Sequence, residues 1–260
     1  MKLSWNEKIK FFQGLCFFGG PLVLIFNFNL NYLLYSILAH WIIVNLGISC
    51  GMHRSFAHGS WKPRNNFILL LMHFLTVINT VGSTITWCGT HRLHHRTADT
   101  DKDPHSPVDK TVWTKIKYWF NYWPAHTVSL KIVKDLTRDK YHVFFHRNYF
   151  KILISYMVVL FLIDPDLFMY GYLVVTMFSL HAISWITVGA HLFGKPHNDV
   201  TDESKNTFLM GLYLWGEGWH NNHHHRPYTY EFGRSWKQPD LGKHVIRLLA
   251  DPTTLRHLKR

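Results

Sequence analysis

The sequence predicts an all-α integral membrane protein, with four transmembrane helices arranged as two hairpins beneath a helical cytosolic cap. Three observations predict it. Four apolar stretches approach the roughly 20 residues that a helix rising about 1.5 Å per residue needs to cross a bilayer. Short polar turns join these stretches in pairs. All 28 Lys and Arg fall in the N-terminal tail, in 54–151 or after 194, regions that two there-and-back hairpins leave on one side. The 260 residues suit one membrane domain, 1–260.

The spans are expected at about 11–28, 32–51, 149–163 and 167–188. Lys2, Lys8 and Lys10 before the first could be the basic start of a secretory signal. No small-residue cleavage pattern follows, so a retained span is the better reading. Asn27, Asn29 and Asn31 make the first turn; Asp164, Pro165 and Asp166 make the second. Basic residues then put both termini and the cap, 53–147 and 189–260, in the cytoplasm. The stretch 67–88 is greasy at first but later carries Asn79, Thr80, Gly82, Ser83, Thr84 and Thr86. It is expected to be one helix lying in, or dipping into, the cytoplasmic interface. Trp5, Trp61, Trp87, Trp113, Trp119 and Trp123 punctuate the cap as interfacial aromatics do. The amphipathic stretch 241–258 should lie on the same surface.

Composition narrows the chemistry. Mean hydropathy is near zero despite the spans, which requires a large polar part outside the bilayer. A formal charge of +12 suits anionic lipid headgroups and an acidic partner. The charges surround spans and form no separate basic domain, which argues against nucleic acid. Cys16, Cys50 and Cys88 all lie in apolar segments and read as small hydrophobes, so neither disulfides nor a thiolate metal site is indicated.

Histidine is the anomaly, with 20 in the chain. Three clusters stand out: His53 with His58 after the second span, His91 with His94 and His95, and His220 with His223 and His224. All three fall in regions that the charges place in the cytoplasm. Residues i, i+3 and i+4 share a helix face, so each triplet can aim its imidazoles at one point. The i, i+5 pair His53/His58 diverges on a straight α-helix, implying an unwinding helix end or two different metals. Eight imidazoles are too many for one ion and about right for two, although imidazole alone does not name the metal. His40, His73, His126, His142, His146, His244 and His257 read as ordinary polar residues, and His225 as a neighbour of the third cluster. His181, inside the fourth span, is a candidate for lining a substrate path.

These clusters resemble the three boxes of membrane fatty-acyl desaturases of the stearoyl-CoA and cyanobacterial delta-9 type. The boxes read HRSFAH (53–58), HRLHH (91–95) and HNNHH (220–224), and the likeness extends to DKDPH (101–105), GAHLFG (189–194) and GEGWH (216–220). The resemblance implies a di-iron enzyme that uses dioxygen to insert a cis double bond, at delta-9, into a long saturated acyl chain. That chain would be linked to CoA, a lipid or a carrier. It also implies His191 as a ninth metal ligand, after His53, His58, His91, His94, His95, His220, His223 and His224. Overproduced protein can carry zinc in place of iron. With no haem-binding domain in the sequence, electrons are expected from a separate protein of ferredoxin or cytochrome type.

Asp99, Asp101, Asp103, Glu217 and Asn222 are candidates for orienting imidazoles through their other nitrogen. The family usually has Asn where this chain has Thr187, one turn before His191. Thr187 is expected to hold a water facing one metal, against the alternative that its hydroxyl bonds back to a carbonyl one turn earlier. The nearest rival is a hydroxylase of alkyl chains, sterols or carotenoids on the same scaffold. A membrane haem carrier would need paired histidines inside facing spans, and a zinc hydrolase would not need so many imidazoles.

Overall fold

The computed structural model describes residues 4–122 and 128–256, so Lys2, Trp123, His126 and His257 lie outside the described residues. The named elements of the described chain are all helices, joined by loops that carry isolated bridges such as Lys195 with Asn206. Helix α1 (Trp5–Phe26) begins before the expected 11 because Ser4 and Glu7 form a reciprocal cap: Ser4 Oγ accepts from the Glu7 amide and Glu7 Oε2 from the Ser4 amide. Helix α2 (Leu30–Ala57) runs past the expected 51 and so carries His53. Helices α3 (Asn66–Ile78) and α4 (Thr84–Thr97) follow, then α5 (Val112–Trp119). Helix α6 (Lys140–Arg147) meets α7 (Tyr149–Ile163) at an elbow of 62°. Helix α8 (Pro165–Leu192) is the last long one, before the short α9 (Phe208–Tyr213), α10 (His220–His225) and α11 (Leu241–Leu249).

Among the described residues three helices, α1, α2 and α8, are long and apolar enough to cross a membrane, and the bent pair α6–α7 counts as a fourth when taken as one span. The chain is a multi-pass membrane protein. Its outward apolar side chains, among them Phe18 and Ile25 on α1, Leu38 on α2 and Leu162 on α7, are exposed because their solvent is lipid.

The stretch 67–88 is not one helix. Asn79 Nδ2 donates to the Leu75 carbonyl, Thr80 takes φ 58° and Gly82 takes φ 113°, which ends α3 and restarts the chain as α4. At 13 residues α3 is well short of the roughly 20 that a crossing needs.

The two hairpins are fastened together at their turns. Asn29 caps α2 and Asp164 caps α8. Tyr32 donates its hydroxyl hydrogen to Asp164 Oδ2 at 2.5 Å, Asn27 Nδ2 donates to Asp166 Oδ1 at 2.9 Å, and the Tyr170 hydroxyl donates to the Asn27 carbonyl. Between the turns α1 packs closely on α8. A Cβ on Gly20 would stand 2.7 Å from Met177 Sδ and 2.9 Å from its Cβ, whereas one on Gly14 would meet nothing within 4 Å.

Gly20→Val should therefore lose about 1–3 kcal/mol to overpacking, read as a lower Tm in detergent. Gly14→Val carries the same change in helix propensity without the clash. An equal drop in both variants would show that helix propensity, not the α1–α8 contact, sets the effect.

Candidate metal centre

Nine histidines converge at one end of the helices, in two groups whose donor atoms lie within 4.8 Å of one another. The first group is His53, His58, His91, His95 and His223; the second is His94, His191, His220 and His224. This corrects the idea that each i, i+3, i+4 triplet aims at one point. On α4, His91 and His95 turn to the first group and His94 to the second; on α10, His223 turns to the first, His220 and His224 to the second. A three-residue step on a helix turns far enough from a four-residue step to serve two points.

His53 and His58 also fall in one group, not two, and α2 does not unwind beneath them. Residues 45–57 form wide π-helical turns, in which the His58 amide donates to the His53 carbonyl at 3.2 Å. Turns closed by i→i+5 bonds stack i over i+5, so the pair that would diverge on an α-helix converges here.

Each group is held from behind. His53 Nδ1 meets Glu217 Oε2 at 2.6 Å, His94 Nδ1 meets Asp103 Oδ2 at 2.8 Å, His191 Nδ1 meets Asp99 Oδ2 at 2.8 Å, and His224 Nδ1 meets Asp202 Oδ2 at 2.9 Å. Burial pushes the Asp99 carboxyl up, but bonds from His191, Ser106 and the Glu203 amide outweigh it and hold it at about 2. Asp103 and Glu217 are likewise pushed up by burial and pulled further down by their histidines, with Arg54 and Ser49 adding to the effect on Glu217. These carboxylates are ionised acceptors, so each paired Nδ1 keeps its proton and each Nε2 presents a lone pair.

Those lone pairs face other nitrogens. His53 and His223 meet Nε2 to Nε2 at 3.0 Å, His191 and His220 at 3.1 Å, His58 and His91 at 2.8 Å, and His95 and His223 at 2.9 Å. Burial, and then neighbouring imidazoles, push His91, His95, His220, His223 and His224 far below the usual imidazole range. Neutral nitrogens so close would repel or go unsatisfied; His224 Nε2 has no hydrogen-bond partner at all. A cation in each group removes the conflict. The donor set, all imidazole nitrogen, fits two divalent transition metals.

Arg54 braces the first group. Its side chain is 0% exposed and its Nε lies 3.3 Å from Glu217 Oε1. Nη1 reaches Asp240 Oδ1 at 3.0 Å and the Tyr230 carbonyl at 2.9 Å, and Nη2 reaches the Trp215 carbonyl at 2.7 Å. A buried guanidinium is tolerated because two carboxylates and two carbonyls surround it. Gly216 lets this happen: at φ 104°, a Cβ there would lie 2.5 Å from Asp240 and 2.8 Å from Arg54 Nη2.

Two of the expected orienting residues face elsewhere. Asp101 is exposed to solvent and meets no imidazole. Asn222 organises backbone instead, accepting from Asn198 and Asn206 at Oδ1 and donating to the Phe232 carbonyl. Asp202 takes a place the sequence did not suggest, since it lies on a loop with no periodic relation to His224. His105 also adjoins the site, its ring 4.6 Å from that of His94. His225 is exposed and belongs to neither group. His181 accepts from the Trp119 indole at Nδ1.

Beside the imidazoles lies an apolar cavity lined by Ile48, Trp87, Ile183, Ile186 and Thr187. It holds ≈ 20 Å³, space for about one water. The Thr187 hydroxyl donates to the Ile183 carbonyl at 3.2 Å, which is the one-turn back-bond expected as the alternative to the water-holding role.

Membrane helices, buried carboxylate-backed imidazoles and an apolar cavity against them define an integral membrane protein built around a histidine-rich metal-type centre. Residues 27–250 match the family model described as Fatty acid desaturase, and the chain belongs to that family of oxidoreductases. The sn-1 stearoyl-lipid 9-desaturase of Anabaena variabilis is 29% identical over 255 residues, 95% of this chain and 92% of that protein. The chloroplastic palmitoyl-monogalactosyldiacylglycerol delta-7 desaturase of Arabidopsis thaliana is 29% identical over 88% of this chain and 62% of its own length. The acyl-CoA 5-desaturase AL21 of Anemone leveillei is 28% identical over 83% of this chain and 70% of its own.

Asp202→Asn should weaken metal retention against a chelator about 10–100-fold, as loss of a histidine's carboxylate partner does, while Asp101→Asn should match wild type. Equal retention in both variants would remove Asp202 from the site.

Proposed function

We propose that this protein is an oxygen-dependent desaturase that introduces a cis double bond at delta-9 of a long saturated acyl chain, with two irons held by His53, His58, His91, His94, His95, His191, His220, His223 and His224. The observation that carries this reading is the pair of facing imidazole groups with their outer nitrogens tied to carboxylates. Support for delta-9 comes from the Anabaena relative, which pairs over 92% of its length. The Arabidopsis and Anemone relatives are named for delta-7 and delta-5, so position is the finer part of the proposal.

Iron, when bound, supplies oxidation of unactivated C–H bonds by dioxygen and two external electrons. Overall, two adjacent methylenes each lose one hydrogen, and dioxygen leaves as two waters after taking up those hydrogens, two electrons and two protons. The chain's own residues do the positioning. Glu217, Asp103, Asp99 and Asp202 hold protons on the outer imidazole nitrogens, so the inner lone pairs stay available. Ile48, Trp87, Ile183 and Ile186 keep water from the reacting carbons, and the narrow cavity must widen at these side chains to admit an acyl chain. Thr187, its hydroxyl hydrogen engaged by the Ile183 carbonyl, would hold a water as acceptor only. Electrons come from a separate protein of ferredoxin or cytochrome type on the basic cap.

Purified protein should bind two metals per chain. With an acyl lipid, dioxygen and an added electron donor, mass spectrometry should find a product two mass units lighter with its double bond at delta-9. Thr187→Val should lose activity with both metals retained. One metal per saturated chain, or a product that gains oxygen, would overturn the assignment.

Both termini and the metal-bearing cap face the cytoplasm, by the charge asymmetry of the sequence. All three native cysteines are buried, giving a low background for labelling. Asn29→Cys should react with an impermeant thiol reagent from outside the cell and Asp199→Cys should not. The opposite pattern would invert the topology.

A further inference from the structure

A groove of ≈ 470 Å³ opens on the lipid-facing side of the molecule, between α3 and the elbow where α6 turns into α7. Phe74, Ile152, Tyr156 and Val159 form its apolar length, and Asn148 and Lys151 stand at its elbow end. We propose that this groove is a binding site for an anionic membrane phospholipid, with an acyl chain along the apolar length and the phosphate at Lys151 and Asn148. It is separate from the histidine centre, and none of its lining residues belongs to either imidazole group.

The membrane makes the case for a chain. A concavity of this size facing hydrocarbon cannot stand empty, because its walls would lose their dispersion contacts. The apolar length offers water little, since the Tyr156 hydroxyl turns inward to the Gly171 carbonyl at 3.1 Å and leaves its ring to the groove, with Ser155 the one other hydroxyl among the lining side chains there. The volume falls in the range of small-molecule sites. Ser155 adds one hydroxyl along the length, and charge is confined to the elbow, where a helix along the interface meets a helix that crosses, at headgroup depth. Lys151 is exposed there, and Asn148 uses one amide proton on the Phe144 carbonyl at 3.0 Å, keeping the other. No Asp or Glu among the described residues lines the groove, so the elbow carries uncompensated positive charge. That charge favours a headgroup of net negative charge over a zwitterionic one.

Protein purified from membranes containing equal phosphatidylglycerol and phosphatidylcholine tests this by native mass spectrometry of retained lipid. Wild type should retain phosphatidylglycerol over phosphatidylcholine by about fivefold, the factor one lysine contributes near an anionic headgroup. Lys151→Glu should abolish the preference. Lys110→Glu, the same charge change at an exposed lysine outside the groove, should keep it. Val159→Trp fills the apolar length and should release lipid of both classes, with an unchanged Tm showing that the fold is intact. Equal retention of the two lipids by wild type would overturn the proposal, as would an undiminished preference in Lys151→Glu. So would lipid-free protein in which Ser155→Cys cross-links two copies through the groove. None of these readouts depends on catalysis, so the site stands or falls independently of the proposed reaction.

Discussion

The hydrogen bond between an outer imidazole N–H and a buried carboxylate recurs around the centre at His53, His94, His191 and His224. Much of the irregular structure exists to make it. Imidazoles packed with ring centroids 4.4–5.1 Å apart, as His95 with His224 and His191 with His220 are, cannot all be protonated. Each carboxylate fixes a proton on the far side of a ring and so orients a lone pair inward. The carboxylates need support of their own. Glu217 has Arg54 and Ser49, Asp99 has Ser106 and the Glu203 amide, and Asp103 accepts from the Asp99 and His105 amides. The carboxylate shell is therefore a connected network, and within the nine-histidine centre the atoms without a partner are on the imidazoles, at His220 Nδ1, His223 Nδ1 and His224 Nε2.

That network can be placed beside a bilayer only because the helices separate two environments. Helix α8 is the most enclosed span, with 78% of its apolar window buried, against 33% for α1. It stands between α1 and α2 and delivers His191 at its end, while α1 presents its outer face to lipid. Several polar groups inside the spans meet partners, as His40 does with Ser179 and Tyr213, and Ser36 with the Tyr170 carbonyl. Asn45 Oδ1 on α2 and Trp185 Nε1 on α8 do not, and neither does His73 on the shorter α3. The His73 ring is enclosed between those of Phe56 and Phe145 with neither nitrogen hydrogen-bonded.

What could be read from the residues follows from where periodicity holds. Apolar runs and turn residues located the two turns closely, but α1 starts at Trp5 and not at 11, and α2 continues to Ala57 and not to 51. The boxes announced themselves by helical spacing, and the grouping of nine histidines respects that spacing. The assignment of each histidine to a group was not legible. It depends on whether α2 keeps α-helical turns, and nothing in residues 45–57 signals the extra residue per turn that brings His58 under His53. Asp99, Asp101 and Asp103 look equivalent in sequence, yet the chain turns at Asp99, with φ 58°, and sends only the first and third inward. Asp202 reaches His224 because loop residues Lys195 and Asn206 pair across their backbones, a contact between positions that no local pattern links.

The bracing of the first box by the last part of the chain sets an order of assembly. Arg54 and Glu217 complete each other, and Asp240, which also caps α11, closes the same ion cluster. Until the residues beyond α8 are in place, His53 lacks its carboxylate and Arg54 lacks both of its own. Four of the nine imidazoles, His191, His220, His223 and His224, come from the end of α8 or later. Neither group has its full set of imidazoles until the final quarter of the polypeptide, which carries His220, His223 and His224, is in place. A chain ending before Asp240 would already carry all nine imidazoles, yet Arg54 would have only one of its two carboxylates, so the last contact to form is the neutralisation of that guanidinium and not the gathering of the rings.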